Sequence, residues 1–290
     1  MFRLRTIILF TKLLLLVLLI AATAGIVLLL ESKEVIYTYS LEPSTTSTVE
    51  PFPVSVNTVT QEILDNPAVE TFYMDTLAQS NRSQDRWWNQ VAAVFSSQTW
   101  WQNLASPVSR IVVVWPGQRK EEVANEVGDI LRWNSSQRDE FQELITSEAP
   151  ALEEGKFFPG QYVTHRYATP ADVAELLLSE FDAQIQDRYT EDVSRHVQLE
   201  DALIIASLLE REASDFTNMR EVSGVIWNRL FIDMPLQLDA TLQYVRGSDP
   251  AEPKWWPAVR PQDKFLDSPY NTYAETGLPD SLESRPQQWR

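Results

Sequence analysis

Residues 202–214, A-L-I-I-A-S-L-L-E-R-E-A-S, set two glutamates into an otherwise apolar helical stretch. No other feature constrains the chain as much, because charged side chains enter such segments only at a cost. At about 100° per residue, Glu210 shares its face with Leu203, Ala206, Ser207, Ala213 and Ser214, mostly small side chains that leave space beside the carboxyl. Glu212 points nearly the other way, with Ile205 and Leu208. A carboxyl beside an apolar-walled cleft has its charged form disfavoured, so it can keep a proton near neutral pH and act as a general acid. A plainer reading stays open: a helix end whose Glu210 and Glu212 sit in solvent or pair with Arg211 and Arg220.

Upstream, residues 13–30 form an uncharged apolar run that would reach about 27 Å as a helix, close to the hydrocarbon thickness of a bilayer. Arg3, Arg5 and Lys12 precede it and Glu31 and Glu34 follow, which places residues 1–12 in the cytoplasm as a basic tail and the rest outside. Ala22-Thr23-Ala24 also resembles a signal-peptide cleavage site, but Ile26 to Leu30 extends the run beyond it and favours an uncleaved anchor in the inner (cytoplasmic) membrane. Residues 31–58, rich in Ser, Thr and Pro towards their end, read as an extended tether. Residues 59–107 read as a helical, Trp-rich module with Trp87-Trp88 and Trp100-Trp101; such rings stack on sugars, or simply close a small core.

Within 108–164, Ile111 to Trp115 is a β-branched strand and Pro116-Gly117 a turn. Helices at Lys120–Leu131 and Ser136–Thr146 follow, and then the segment Gly155 to Tyr162. Thr169, Pro170 and Asp172 form a helix start, with Val173, Leu176, Leu177 and Phe181 as its core stripe. Val222, Val225, Ile226 and Leu230 mark a further amphipathic helix. Leu236 to Tyr244 alternates polar and apolar, which by period alone reads as a strand. The expected fold class is α+β.

Charge and composition remove whole classes of function. A net charge of −17 argues against a nucleic-acid partner, which requires clustered Lys and Arg. With no cysteine and two histidines, His165 and His196, at no metal-binding spacing, neither a metal nor another cofactor is expected. No G-x-S-x-G, phosphate-binding or dinucleotide fingerprint is present.

Five ordered blocks carry a resemblance: S-L-L-E-R-E-A (207–213), V-S-G-V-I-W-N-R-L (222–230), M-P-L-Q-L-D-A-T-L-Q-Y (234–244), S-P-Y-N-T-Y (268–273) and G-L-P (277–279). In this order and spacing they resemble the YceG-like endolytic murein transglycosylases. By position the resemblance puts the catalytic role on Glu210. It also implies that Asp239 caps a helix beginning near Ala240, against the strand reading; both remain open here. Gln237, Asp239 and Thr241 offer polar groups of the kind that orient sugar hydroxyls and acetamido groups. Tyr270, Asn271 and Tyr273 are placed along the sugar subsites by the motif, and Glu212 is counted with this substrate-binding set. I-V-V-V-W-P-G (111–117) and E-G-K-F-F-P-G-Q-Y (154–162) are similar to the family's LysM-like unit, so residues 108–164 are expected to contact glycan or to pack on a catalytic domain at 165–290.

The sequence departs from the family pattern at Ala213, Leu238 and Ala240, and it stops at Arg290, soon after Pro279, where the family continues. A shortened catalytic domain is therefore expected. The resemblance implies an anchored enzyme that cuts nascent peptidoglycan strands, beside the peptidoglycan synthases. The alternatives are a non-catalytic peptidoglycan-binding scaffold of the wall-synthesis complex, and a hydrolase using Glu210 with Glu212 or Asp239.

Overall fold

The computed structural model describes residues 50–84, 108–147, 154–249 and 254–279. The apolar run 13–30, both Trp-Trp pairs and the last residues lie outside this set. Among the described residues no helix is long and apolar enough to cross a membrane. The described chain is dominated by helices with short strands, as α+β implies.

A short hairpin, β1 (Val56–Asn57) and β2 (Glu62–Ile63), comes first, followed by helix α1 (Pro67–Gln84). Strand β3 (Ser109–Val114) then leads to helices α2 (Lys120–Leu131) and α3 (Ser135–Ser147) and to strand β4 (Gly160–His165). β3 and β4 pair antiparallel, from Ser109 opposite His165 to Val114 opposite Gly160. Their buried face, with Val112, Val114 and Tyr162, packs on Val123, Val127 and Ile130 of α2 and Phe141 and Ile145 of α3. Helix α4 (Pro170–Gln184) adds Val173 and Leu177 to this same core, so packing in this unit continues past residue 164. α4 opens with a capping box: Asp172 accepts from Thr169 N–H at 2.8 Å, and Thr169 Oγ1 accepts from Asp172 N–H at 3.3 Å.

The second core gathers around two helices. After a turn of 3₁₀ helix and the short α5 (Glu191–Ser194) come α6 (Leu199–Glu212) and α7 (Phe216–Phe231). Ile205 and Leu208 of α6 pack on Ile226, Trp227 and Leu230 of α7, with Leu236 and Leu278 closing the cluster. Val56 of β1 belongs to it as well. The segment read as tether therefore joins the fold from Glu50 onward. Arg188 donates to Glu50 O at 3.1 Å and lies 4.1 Å over the Phe52 ring, and Thr58 donates from both N–H and Oγ1 to His196 O. The alternation of Phe52, Val54 and Val56 supplies an apolar edge that Ser/Thr/Pro content alone does not reveal.

Helix α8 (Asp239–Gly247) decides between strand and helix for the segment after Leu236. Gln237, in the left-handed region at φ 54°, breaks the extended path, and Leu238 takes the cap position expected for Asp239. A 3₁₀ turn, Pro261–Phe265, is fastened to α8 by Asp263, which is 1% exposed. Asp263 accepts from Arg260 N–H at 2.7 Å and lies 3.1 Å from Arg246 Nη1. Burial works to raise its pKa, but the Arg260 backbone and side-chain hydrogen bonds and the charges of Arg246 and Arg260 hold it below the usual carboxylate range. A depressed pKa means stability that is present above the unfolded-state pKa and is lost as pH falls through the folded-state value. Asp263→Asn is expected to lower the melting temperature at pH 7 by about 3–6 °C, and to flatten its decline below about pH 4. Calorimetry of both proteins across that range checks it.

Candidate active site

A cleft of about 380 Å³ runs between the two cores. One wall is α6, where Leu203, Ala206, Ser207 and Glu210, the face that helical spacing predicts, line the cleft together with Ile204, Leu208 and Arg211. The facing wall comes from far upstream: Trp115 to Arg119 between β3 and α2, and Glu154, Gly155, Phe157 and Pro159 before β4. Thr241 and Tyr244 of α8, with Trp256 and Tyr270, complete the lining.

The Glu210 carboxyl has no hydrogen-bond or ion-pair partner among the described residues. It remains open to solvent on one side, yet partial burial against the cleft pushes its pKa above the ordinary carboxylate value, with the Arg211 charge opposing. Its stem is braced from across the cleft. A Cβ built on Gly117 would stand 3.3 Å from Glu210 Cγ and 3.7 Å from Arg211 Cδ. Gly117 also has φ +73°, so glycine is needed there both for backbone conformation and for close approach. Beyond it, the Arg211 guanidinium lies 3.8 Å over the Trp256 ring. Trp256 itself holds a left-handed backbone, φ 54°, with its indole N–H 3.3 Å from Glu122. A bulky residue in that region is strained, and the Arg211 and Glu122 contacts hold the ring in the cleft wall against that cost.

The other residues expected at the site divide into two groups. Thr241 and Tyr270 line the cleft; Tyr270 packs on Tyr244 with ring centroids 5.1 Å apart. Glu212, Gln237, Asp239, Tyr273 and Asn271 instead form the frame behind it. Glu212 accepts from Ala240 N–H at 3.2 Å, tying the end of α6 to the first turn of α8. Asp239 accepts from the Tyr273 hydroxyl at 2.7 Å; burial, that bond and the charges of Asp239 and Glu212 push the phenol up to about 12. Gln237 N–H donates to Thr272 O at 2.9 Å, and Thr241 Oγ1 lies 3.0 Å from Thr272 Oγ1.

Asn271, expected along the sugar subsites, does not line the cleft. It is fully buried, its amide donates to Lys264 O at 3.1 Å and Leu266 O at 2.8 Å, and its oxygen accepts from Tyr273 N–H at 3.0 Å. With these groups engaged inside the protein, it fixes the turn that presents Tyr270.

Glu154 was not among the expected site residues. It accepts from Lys120 N–H at 3.0 Å and from the Tyr244 hydroxyl at 3.4 Å. Burial first, and then the Glu121 charge, raise its pKa to about 7, against the Lys120 N–H and the charges of Arg119 and Lys120. Trp115, Gly117, Arg119, Tyr244 and Trp256 complete the set that sequence reasoning did not assign. The signal available for most of them was the position of the blocks at 111–117, 154–162 and 234–244. Among the described residues no cluster of His, Asp and Glu is arranged to hold a metal. Among the described residues Glu210 is thus a cleft carboxyl without a hydrogen-bond or ion-pair partner, its pKa raised by burial, against apolar and aromatic walls.

The endolytic murein transglycosylase of Bacillus subtilis (strain 168) is 32% identical over 126 residues, 43% of this chain and 33% of that protein. Its counterpart in Streptococcus pneumoniae serotype 2 (strain D39 / NCTC 7466) is 31% identical over 125 residues, 43% of this chain and 22% of that protein. The matched stretch thus spans a third or less of these relatives' length. The crystal structure of a putative YceG-like protein from Listeria monocytogenes shares the fold, with a TM-score of 0.51 at 19% identity over 66% of each chain. The profile of the YceG-like family matches residues 57–286, most of the sequence, and the chain belongs to that family.

Proposed function

We propose that this chain is an endolytic murein transglycosylase that cuts MurNAc–GlcNAc bonds inside nascent peptidoglycan strands and so ends their elongation. The observation that carries the reading is Glu210: an unpartnered carboxyl with a raised pKa, on an apolar helix, in a cleft lined with aromatic rings. Ordinary glycosidases need two carboxyls flanking the bond. One suffices when the sugar supplies its own nucleophile. The protonated Glu210 gives its proton to the glycosidic oxygen as the C1–O bond breaks. The resulting carboxylate then takes the proton of the muramic acid 6-hydroxyl as O6 bonds to C1. The products are a 1,6-anhydro end and a free hydroxyl, no water is consumed, and Glu210 is left protonated. Walls that exclude water favour this outcome over hydrolysis.

The unit from β3 to β4 is read as LysM-like, presenting Trp115 to the glycan. Residues 13–30 are read as a single-pass anchor with the N-terminus in the cytoplasm, which keeps the cleft near strands leaving membrane-bound synthases. Glu212 and Asp239, the second carboxyls of a hydrolytic reading, are engaged with Ala240 N–H and Tyr273.

Mass spectrometry of uncrosslinked strands incubated with the full chain in detergent tests the proposal. Internal fragments with 1,6-anhydroMurNAc ends are expected. Reducing ends would replace this reaction by hydrolysis, with Glu154 the carboxyl to examine next. Strands bound but left intact would leave a glycan-binding scaffold.

A further inference from the structure

The wall that carries Glu210 belongs to one hydrophobic core, and the wall that faces it is built on the other. The cleft is complete only while the two remain docked. Where they meet, Arg119, at the N-cap of α2, carries its charge into the join and is 3% exposed. Its Nη1 donates to Tyr244 O at 3.1 Å and its Nη2 to Ser248 Oγ at 2.9 Å, both near the end of α8. Its Nε donates to Glu121 at 3.2 Å, on its own helix. The guanidinium also stacks over the rings of Tyr244 and Trp255, at 4.1 and 4.7 Å. A Cβ on Gly247 would come within 3.4 Å of Nη1, so glycine there leaves room for it. Two residues before Arg119 is Gly117, where a Cβ would stand 3.3 Å from Glu210 Cγ.

The geometry points to Arg119 as a positioning residue: by fastening the start of α2 to the end of α8, it presses the Pro116-Gly117 turn onto Glu210 and so sets the orientation and hydration of that carboxyl. The inference rests on the catalytic reading of Glu210. A planar fork that lies over two rings and donates to two acceptors at the end of α8 and one on its own helix is a geometry that lysine does not reproduce. The charged groups around the carboxyl are Arg211 on its own helix and, across the cleft, Arg119 and Glu154.

Docking can be read without activity. The chain has no cysteine, and a Cβ on Gly155 would lie 3.6 Å from Leu203 Cβ, across the join and within disulfide reach. Gly155→Cys with Leu203→Cys is made in three backgrounds: Arg119 kept, Arg119→Lys and Arg119→Ala. The φ of +90° at Gly155 strains the new cysteine equally in all three. Under mild oxidation the disulfide is expected to form about ten-fold or more slowly without the arginine, with lysine between the two. In the single variants without cysteines, kcat is expected to fall about 10–100-fold with less change in KM, and the alkaline limb of the pH–rate profile moves to lower pH as Glu210 hydrates. Equal rates of crosslinking in the three backgrounds overturn the latch. Slower crosslinking with an unmoved pH limb overturns the positioning role. Arg119→Lys keeps both tests open if Arg119→Ala does not fold. If the wild type cleaves no strands, the Glu210 reading falls and the crosslinking arm still decides the docking.

Discussion

Glu210→Gln is expected to remove strand cleavage, by about 10³-fold or more, while strands still bind. General acid–base catalysis by one group is worth about 10²–10⁴-fold, and in the proposed mechanism one carboxyl serves both half-steps, so the loss lies at the upper end. Glutamine keeps the shape and can still hydrogen-bond a sugar, but it has no proton to give to the glycosidic oxygen and no charge with which to take one from the 6-hydroxyl. Because Gly117 packs on the Cγ, which glutamine retains, the substitution leaves the brace intact. The wild-type pH profile carries a second signature. The first half-step needs the protonated form, so activity falls as pH rises through the pKa of Glu210. That pKa is raised by burial, which places the alkaline limb above the ordinary glutamate value of about 4.3. Binding and cleavage assays across pH check both statements. Wild-type activity in the Gln variant would move the reaction to another group, with Glu154 the other carboxyl lining the cleft.

The half of the cleft built from α6 was legible because a helix has one period. Counting at about 100° per residue puts Leu203, Ala206, Ser207 and Glu210 on one face, and that face lines the cleft. What stands opposite could not be counted. The Trp115–Arg119 turn reaches Glu210 only through packing between two cores, and nothing periodic in either segment announces the contact. Leu236 to Tyr244 shows the limit of period itself. Leu236, Ala240 and Leu242 are buried, which alternation reads as one side of a strand. Leu236 instead precedes the left-handed Gln237 and the Leu238 cap, while Ala240 and Leu242 lie in the helix, whose start is held by a Thr241–Leu238 bond of 2.8 Å that periodicity does not encode. The same holds for the frame behind the site. Asp239 was expected at the sugar for its polar group, Tyr273 for its place in the S-P-Y-N-T-Y block, and Glu212 was counted with them. In the fold Glu212 accepts from Ala240 N–H and Asp239 from the Tyr273 hydroxyl, contacts that join the end of α6 to the start of α8 and α8 to the turn of Tyr273.

Asn271 separates a framing role from a substrate-contacting one by experiment. Asn271→Leu leaves Lys264 O and Leu266 O without the donor they now share, and buried carbonyls stripped of a partner cost about 1–3 kcal/mol each. Asn271→Asp is expected to be worse at neutral pH, by about 3 kcal/mol or more in total, because a carboxylate then meets two carbonyl oxygens inside the protein. The sign of its pH dependence follows from that clash. Burial and the facing carbonyls raise the pKa of the new aspartate in the folded state above its unfolded value of about 3.9. A raised pKa means that the penalty is full above the folded-state pKa and is relieved as pH falls, once the protonated acid can donate to one carbonyl. Denaturant unfolding of both variants between about pH 4 and pH 8 is expected to show Asn271→Asp gaining on Asn271→Leu towards acid. Loss of cleavage in both should track loss of stability, since the turn that carries Tyr270 depends on this amide. Wild-type stability in either variant, with cleavage gone, would instead put Asn271 at the substrate.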